Sequence, residues 1–154
     1  MKHLKVKTQE TKMSFSVSLD QGKFEFGSSN ANSFFGQRSN IFNFDFWIML
    51  RDINKFFNEA KKFKNDLSRD DSLTLGEFLS QGSYRTPFIE KFILPMGAAI
   101  WSSKSDDIKN QPATTFINFF SSHGLLQFNN PIKWQTLMGG SREYIKKLTE
   151  RYSQ

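Results

Sequence analysis

Histidine is scarce and cysteine is absent in this sequence, and these are the side chains most often used as catalytic bases and nucleophiles. The sequence contains two histidines, His3 and His123, and no cysteine. The lack of cysteine excludes thiolate catalysis, disulfides and cysteine-based metal sites. His3 lies in a polar stretch, and a single further histidine does not make a metal site. Asp106 and Asp107 are adjacent acids, which more often cap a helix than form a catalytic pair. We therefore predict neither a catalytic residue nor a metal ligand in this chain.

The motifs that bind nucleotide cofactors are missing from the full sequence. Its nine glycines form no GxGxxG, no P-loop and no GxSxG, and the two histidines form no HExxH. We therefore expect no cofactor-binding residue within the chain.

Three stretches of the second half nevertheless form an ordered set. They are Leu94–Ser102 (LPMGAAIWS), Phe119–Leu126 (FFSSHGLL) and Trp134–Tyr144 (WQTLMGGSREY). In this order and spacing they resemble a family of NAD/FAD-binding proteins in the flavin-containing amine oxidase superfamily. Residues 13–19 (MSFSVSL) and 46–52 (FWIMLRD) also look like earlier segments of that family. Ser122, Asn130 and Lys133 depart from the family pattern, which leaves the substrate open.

The resemblance implies the substrate-side part of an FAD-dependent oxidoreductase. Members of the family hold FAD on a βαβ fold with GxGxxG, which this sequence lacks. The resemblance thus implies that residues 1–154 are a single substrate-side domain, inactive alone, whose partner is the FAD-binding domain of the same protein. Related sequences act in the synthesis of modified fatty acids, so a lipid or other apolar substrate is implied. Hydride transfer would belong to the flavin.

The resemblance also suggests which residues line the substrate cavity. These candidates are Met96, Gly97, Trp101, Phe116, Phe120, His123 and Trp134. Core packing explains the apolar members equally well or better, and His123 is also explained as a helix-end residue. Gly139 and Gly140 are interpreted as a structural turn before the last helix.

Composition leaves a second hypothesis open, a non-catalytic helical module that binds a protein partner or an anionic surface. The formal net charge is +6, but the basic residues are scattered and the aromatics follow core-like spacing. Nucleic-acid binding would need a basic stripe interleaved with exposed aromatics, so we do not expect it. No signal peptide is visible in residues 1–12, which favours a cytoplasmic protein, with peripheral membrane contact left open. Exposed apolar surface facing a missing domain would promote self-association.

The pattern of apolar residues predicts an α+β fold, predominantly helical with a small hairpin, as in the substrate domain of amine oxidases. Alternation over 13–19, a turn at 20–23, and Phe24 and Phe26 predict the hairpin. Because an isolated hairpin is marginal, we expect its strands to belong to a larger sheet, with 133–137 as the best further strand.

Helical spacing and capping residues predict the remaining elements. The clearest is a long amphipathic helix over 46–63 with Asp45 as its N-cap. Thr74 and Glu77 predict a capping box before 75–80. Pro87 and Pro112 open further helices, of which the first is expected to kink or break at Pro95. A final helix follows Ser141.

Overall fold

The computed structural model describes residues 6–11, 14–28, 30–127 and 133–149 of the chain. The chain divides into two compact units. One consists of residues 14–131, and the other combines residues 1–13 with 132–154. The structure is mostly helical with two small antiparallel sheets, which confirms the predicted α+β class.

The predicted hairpin is present in the unit of residues 14–131. Strands β2 (Ser16–Leu19) and β3 (Phe24–Gly27) pair antiparallel, with Val17 opposite Phe26. The turn between them, Asp20–Gly22, has positive φ at all three residues, which is why it ends in a glycine. Val17, Phe24 and Phe26 are buried on one face, as period-two alternation requires.

The expectation that the hairpin belongs to a larger sheet is wrong. β2 and β3 form a two-stranded sheet of their own, and the ring of Phe26 packs on Phe92, 6.2 Å between centroids. Helical side chains thus cover the apolar face in place of further strands. The predicted strand at 133–137 does form, as β4 (Trp134–Leu137), but its partner is β1 (Thr8–Thr11) in the other unit.

The long amphipathic helix is α2, Phe44–Asn65. Its N-cap is Asn43 rather than the predicted Asp45, because the Asn43 side chain accepts the backbone N–H of Asp45. Asp45 lies instead in the first turn, where its negative charge interacts favourably with the positive end of the helix dipole.

The other helices are α1 (Ala31–Phe34), α3 (Leu75–Gln81), α4 (Thr86–Phe88), α5 (Leu94–Trp101), α6 (Ser105–Lys109), α7 (Ala113–Ser122) and α8 (Ser141–Thr149), with a 3-10 turn at Arg38–Phe42. Of these, α3, α7 and α8 start where the sequence predicts helices, whereas α1 and α6 were not predicted as helices. Thr74 and Glu77 form the predicted capping box of α3. Pro112 precedes α7, and Gly124, with φ of 68°, follows its end as a C′ glycine.

A break at Pro95 does not occur. Residues Ile89–Ile93 form a π-helical turn that joins α4 to α5, and Leu94 keeps helical dihedral angles. Pro95 has no N–H to donate to the preceding turn. A π-turn just before it changes the hydrogen-bond register, and a proline is tolerated where a new α-helix begins.

Phe56 of α2 stands at the centre of the core. It is fully buried, and its ring contacts the rings of Phe78, Tyr84, Phe88, Phe116 and Phe120 at centroid distances of 5.6–6.5 Å. This aromatic cluster ties α2 to α3, α4 and α7. Much of the Phe content of the chain is therefore used in packing.

Candidate functional site

Six of the seven predicted cavity residues lie on, or directly after, two helices of the same unit. Met96, Gly97 and Trp101 belong to α5, and Phe116 and Phe120 belong to α7. His123 is the C-cap of α7. The two helices meet through the ring of Trp101, which lies 5.3 Å from that of Phe116.

Four of these six residues are buried within the unit of residues 14–131. Met96 and Gly97 are buried, and Phe116 and Phe120 are fully so. A Cβ on Gly97 would lie 2.7 Å from Ile108 Cγ2 and 3.2 Å from Phe116 Cε2. Gly97 therefore lies where α5 packs closely against Ile108 of α6 and Phe116 of α7, which is a packing role.

At the outer edge of the contact between α5 and α7, three aromatic side chains form a strip that is partly exposed to solvent. It consists of Trp101, Phe119 and His123, all half-buried. The Trp101 and Phe119 rings are 4.9 Å apart, and the His123 ring stacks on Phe119 at 3.9 Å and 21°. The candidate residues inferred from sequence omit Phe119. Its position four residues before His123 and on the same helix face is the signal that could have found it.

Local hydrogen bonds fix the orientation of His123. Its Nδ1 lies 2.8 Å from the backbone oxygen of Phe119. A carbonyl oxygen only accepts, so Nδ1 carries a proton in this contact. The same carbonyl oxygen also accepts the His123 backbone N–H at 3.0 Å, and the His123 ring lies flat on Phe119.

The seventh candidate, Trp134, lies in the other unit. It is half-buried on β4, opposite Thr11 of β1. In that unit Gly139 and Gly140 both have positive φ, 79° and 77°, and they turn the chain from β4 into α8 as predicted. An open pocket of about 230 Å³ there is lined by Val6, Lys7, Met138, Glu143 and Lys147. It is smaller than the roughly 300–1,000 Å³ usual for ligand sites.

A cluster of polar side chains connects α2 to the segment before α4. Tyr84 is buried, and its hydroxyl donates to Glu59 Oε2 at 2.6 Å. Asp52 is also buried, and its Oδ2 accepts the backbone N–H of Arg85 at 3.0 Å. Lys55 donates to the backbone oxygen of Gly82 and lies over the Tyr84 ring, 4.8 Å from its centroid. Each group has a partner within the cluster, which is typical of a structural network.

The free energy of unfolding is expected to fall as the pH rises above about 10, in a way that depends on Tyr84. Burial, and then the hydrogen bond and charge of Glu59, raise the pKa of Tyr84 above its ordinary value of 10.0. Below that value Tyr84 keeps its proton in both states, so the stabilisation is complete. Above it the unfolded chain loses the proton while the folded protein retains it, which favours unfolding by up to about 1.4 kcal/mol per pH unit.

Urea unfolding at several pH values would measure this effect, with Tyr84→Phe as the comparison because lysines also titrate in this range. Tyr84→Phe should show the shallower decline. Glu59→Gln should keep most of the decline, because burial is the larger cause. Equal declines in the native chain and Tyr84→Phe would contradict the prediction.

The described residues form no βαβ unit of the kind that binds the pyrophosphate of FAD. A βαβ site needs two parallel strands joined by a helix, with a glycine-rich turn at the helix N-terminus. Both described sheets are antiparallel and two-stranded, and their strands are four residues long. Across the same residues there is also no group of three or more acidic or histidine side chains that could hold a metal ion.

Within the described ranges, none of the helices is both long and apolar enough to cross a lipid bilayer. No protein-family model matches this chain, and no curated protein and no solved structure matches it either.

Proposed function

We propose that this chain forms the substrate-side part of an FAD-dependent oxidoreductase of the amine oxidase type, in which a separate domain binds the flavin. The observation that carries the proposal is the ordered set of three stretches, Leu94–Ser102, Phe119–Leu126 and Trp134–Tyr144. The first two are distant in sequence but adjacent in space, because α5 packs against α7 through Trp101 and Phe116.

An apolar substrate would bind on the aromatic strip of Trp101, Phe119 and His123. The ring of Phe119 lies 4.9 Å from that of Trp101 and 3.9 Å from that of His123, and all three residues are only partly buried. An acyl chain lying along the strip would remove apolar ring surface from water, at about 25 cal/mol per Å². The residues behind the strip, Phe116 and Phe120, are fully buried and keep the outer rings in place.

Binding of a fluorescent fatty acid to the purified 154-residue chain would test the strip. Phe119→Ser is expected to weaken binding about tenfold, because it removes the central ring of the three. Phe119→Leu, which keeps apolar volume, should weaken binding less. Leu67→Ser is the matched control, since Leu67 is 99% exposed and does not belong to the strip. Unchanged binding in Phe119→Ser, with circular dichroism showing a native fold, would exclude the strip as the acyl site.

Two observations would test the flavin half of the proposal. The visible absorption spectrum of the purified chain should contain no flavin band, and a stoichiometric flavin would contradict the assignment of the cofactor to another domain. The coding sequence upstream should encode a GxGxxG in the same reading frame. A stop codon in that frame directly before the first codon would count against the proposal.

A further inference from the structure

One face of α2 is exposed along its whole length, and its composition is unusual. Its exposed side chains are Phe44, Trp47, Arg51, Asn54, Asn58, Lys61, Lys62, Lys64 and Asn65. At 3.6 residues per turn all of these except Lys64 fall within an arc of about 100°, and Phe44 to Lys62 spans about 27 Å. We call this set the α2 outer face. All of α2 is described by the structure, and none of these exposed residues is acidic.

The acidic residues of α2 lie to the other side and are engaged there. They are Asp45, Asp52 and Glu59, spaced seven residues apart and turned away from the outer face. Asp45 forms an ion pair with Lys91 at 2.9 Å, Asp52 accepts from the Arg85 backbone, and Glu59 accepts from Tyr84. The charged residues of the outer face are therefore all basic, and the first acid beyond its end is Asp66, which accepts hydrogen bonds from Ser68.

Large apolar side chains are concentrated at the N-terminal end of this face. Phe42 is 93% exposed, Phe44 75%, Trp47 48% and Ile41 43%. The indole N–H of Trp47 donates to the backbone oxygen of Ile41 at 2.9 Å, so the helix and the preceding 3-10 turn present one fixed apolar tip. Side chains of this size seldom stay in water as a contiguous group unless they have a partner.

We propose that the α2 outer face and this apolar tip dock on the surface of an anionic phospholipid bilayer. The tip supplies rings that insert at headgroup depth, where tryptophan and phenylalanine are stabilised. Arg51, Lys61 and Lys62 lie on this same face of the helix, within its arc of about 100°, and reach the phosphates and carboxylates of anionic lipids. The tip and the lysines are separated by about four turns of helix rather than interleaved, which favours a bilayer over a single-stranded nucleic acid.

This inference does not depend on the proposed oxidoreductase function, because α2 and the strip on α5 and α7 are different surfaces. The test is flotation of the full chain with vesicles of phosphatidylcholine alone or with about 30 mol% phosphatidylserine. We expect binding to the phosphatidylserine vesicles to be at least about tenfold stronger, and to weaken as salt is raised.

Two pairs of variants separate the parts of the surface. Phe42→Ser with Phe44→Ser is expected to reduce affinity for the phosphatidylserine vesicles about tenfold or more, since both rings lose their apolar contact. Leu67→Ser is its control, an equally exposed apolar residue elsewhere. The double variant Lys61→Gln, Lys62→Gln should lower the affinity for the phosphatidylserine vesicles about tenfold. Its control is the double variant Lys104→Gln, Arg142→Gln, which removes the same charge from exposed positions outside α2. This control should lower the affinity for the vesicles much less.

Each alternative occupant gives a result that would overturn the proposal. Equal binding to both kinds of vesicle, or equal losses in the variants and their controls, would exclude docking by this face. Light scattering that shows a dimer dispersed by the Phe42→Ser, Phe44→Ser double variant, with vesicle binding unchanged, would assign the tip to a second copy of the chain. A single-stranded oligonucleotide that binds through the same residues while vesicles do not bind would assign the face to nucleic acid.

Discussion

Replacing Phe56 with alanine is expected to lower the free energy of unfolding by about 3–5 kcal/mol. Phe56 is fully buried, and its ring contacts five other aromatic rings from α3, α4, α7 and the segment between α3 and α4. Truncation leaves a cavity surrounded by side chains that are themselves close-packed and cannot collapse into it. Since the free energy of unfolding of a domain of this size is only about 5–15 kcal/mol, this one change removes a large part of it.

Phe42→Ala is the matched control for Phe56→Ala, because it deletes the same atoms from a side chain that is 93% exposed. It should change stability by less than about 0.5 kcal/mol. Urea denaturation monitored by circular dichroism would measure both variants. Similar losses in the two would contradict the assignment of Phe56 to the centre of the core.

The helical part of the fold could be predicted well because its signals are local. The Phe residues of α2 recur at helical spacing, and one face of the helix is buried as that spacing requires. The capping box at Thr74 and Glu77 and the glycine after α7 likewise depend on residues within one turn of the helix end. Such signals need no knowledge of distant parts of the chain.

The strands were harder to predict because their signals are not local. β1 reads Thr8-Gln9-Glu10-Thr11, and all four side chains are exposed, so it has no apolar alternation. Its pairing with β4 joins residues more than 120 positions apart, Thr8 with Leu137. The apolar alternation of β2 and β3 correctly indicated a covered face but could not indicate what covers it. The partner proved to be a helical segment containing Phe92.

For the candidate site, the sequence motifs predicted residues that lie on α5 and α7, but they did not indicate which of these residues are accessible. Phe116 and Phe119 are both aromatic and belong to one stretch of α7, yet Phe116 is fully buried and Phe119 is half-exposed. Their difference depends on where α5 crosses α7, which is a tertiary property. The sequence left open an anionic surface as a partner, but it did not separate the lysines of the α2 outer face from Asp45, Asp52 and Glu59. The burial pattern makes that separation.

Gly97→Ala is expected to destabilise the protein by about 1–3 kcal/mol, although alanine favours helices by about 1 kcal/mol over glycine. The added Cβ would lie 2.7 Å from Ile108 Cγ2 and 3.2 Å from Phe116 Cε2. Ile108 and Phe116 are both fully buried, so neither can move aside without disturbing its own contacts. The steric cost should therefore exceed the gain in helix propensity.

A double-mutant cycle with Ile108→Ala would show whether the clash is the cause. Ile108→Ala removes the atom closest to the new Cβ, so the double variant should be more stable than the sum of the single losses by about 0.5–2 kcal/mol. Gly76→Ala in α3 is the matched control, since its nearest contact, the Lys109 backbone oxygen, is at an ordinary 3.4 Å. It should be neutral or stabilise the protein by up to about 1 kcal/mol. Additive losses in the cycle, or a Gly97→Ala variant as stable as the native chain, would mean that α5 does not approach α6 and α7 as closely as the structure shows.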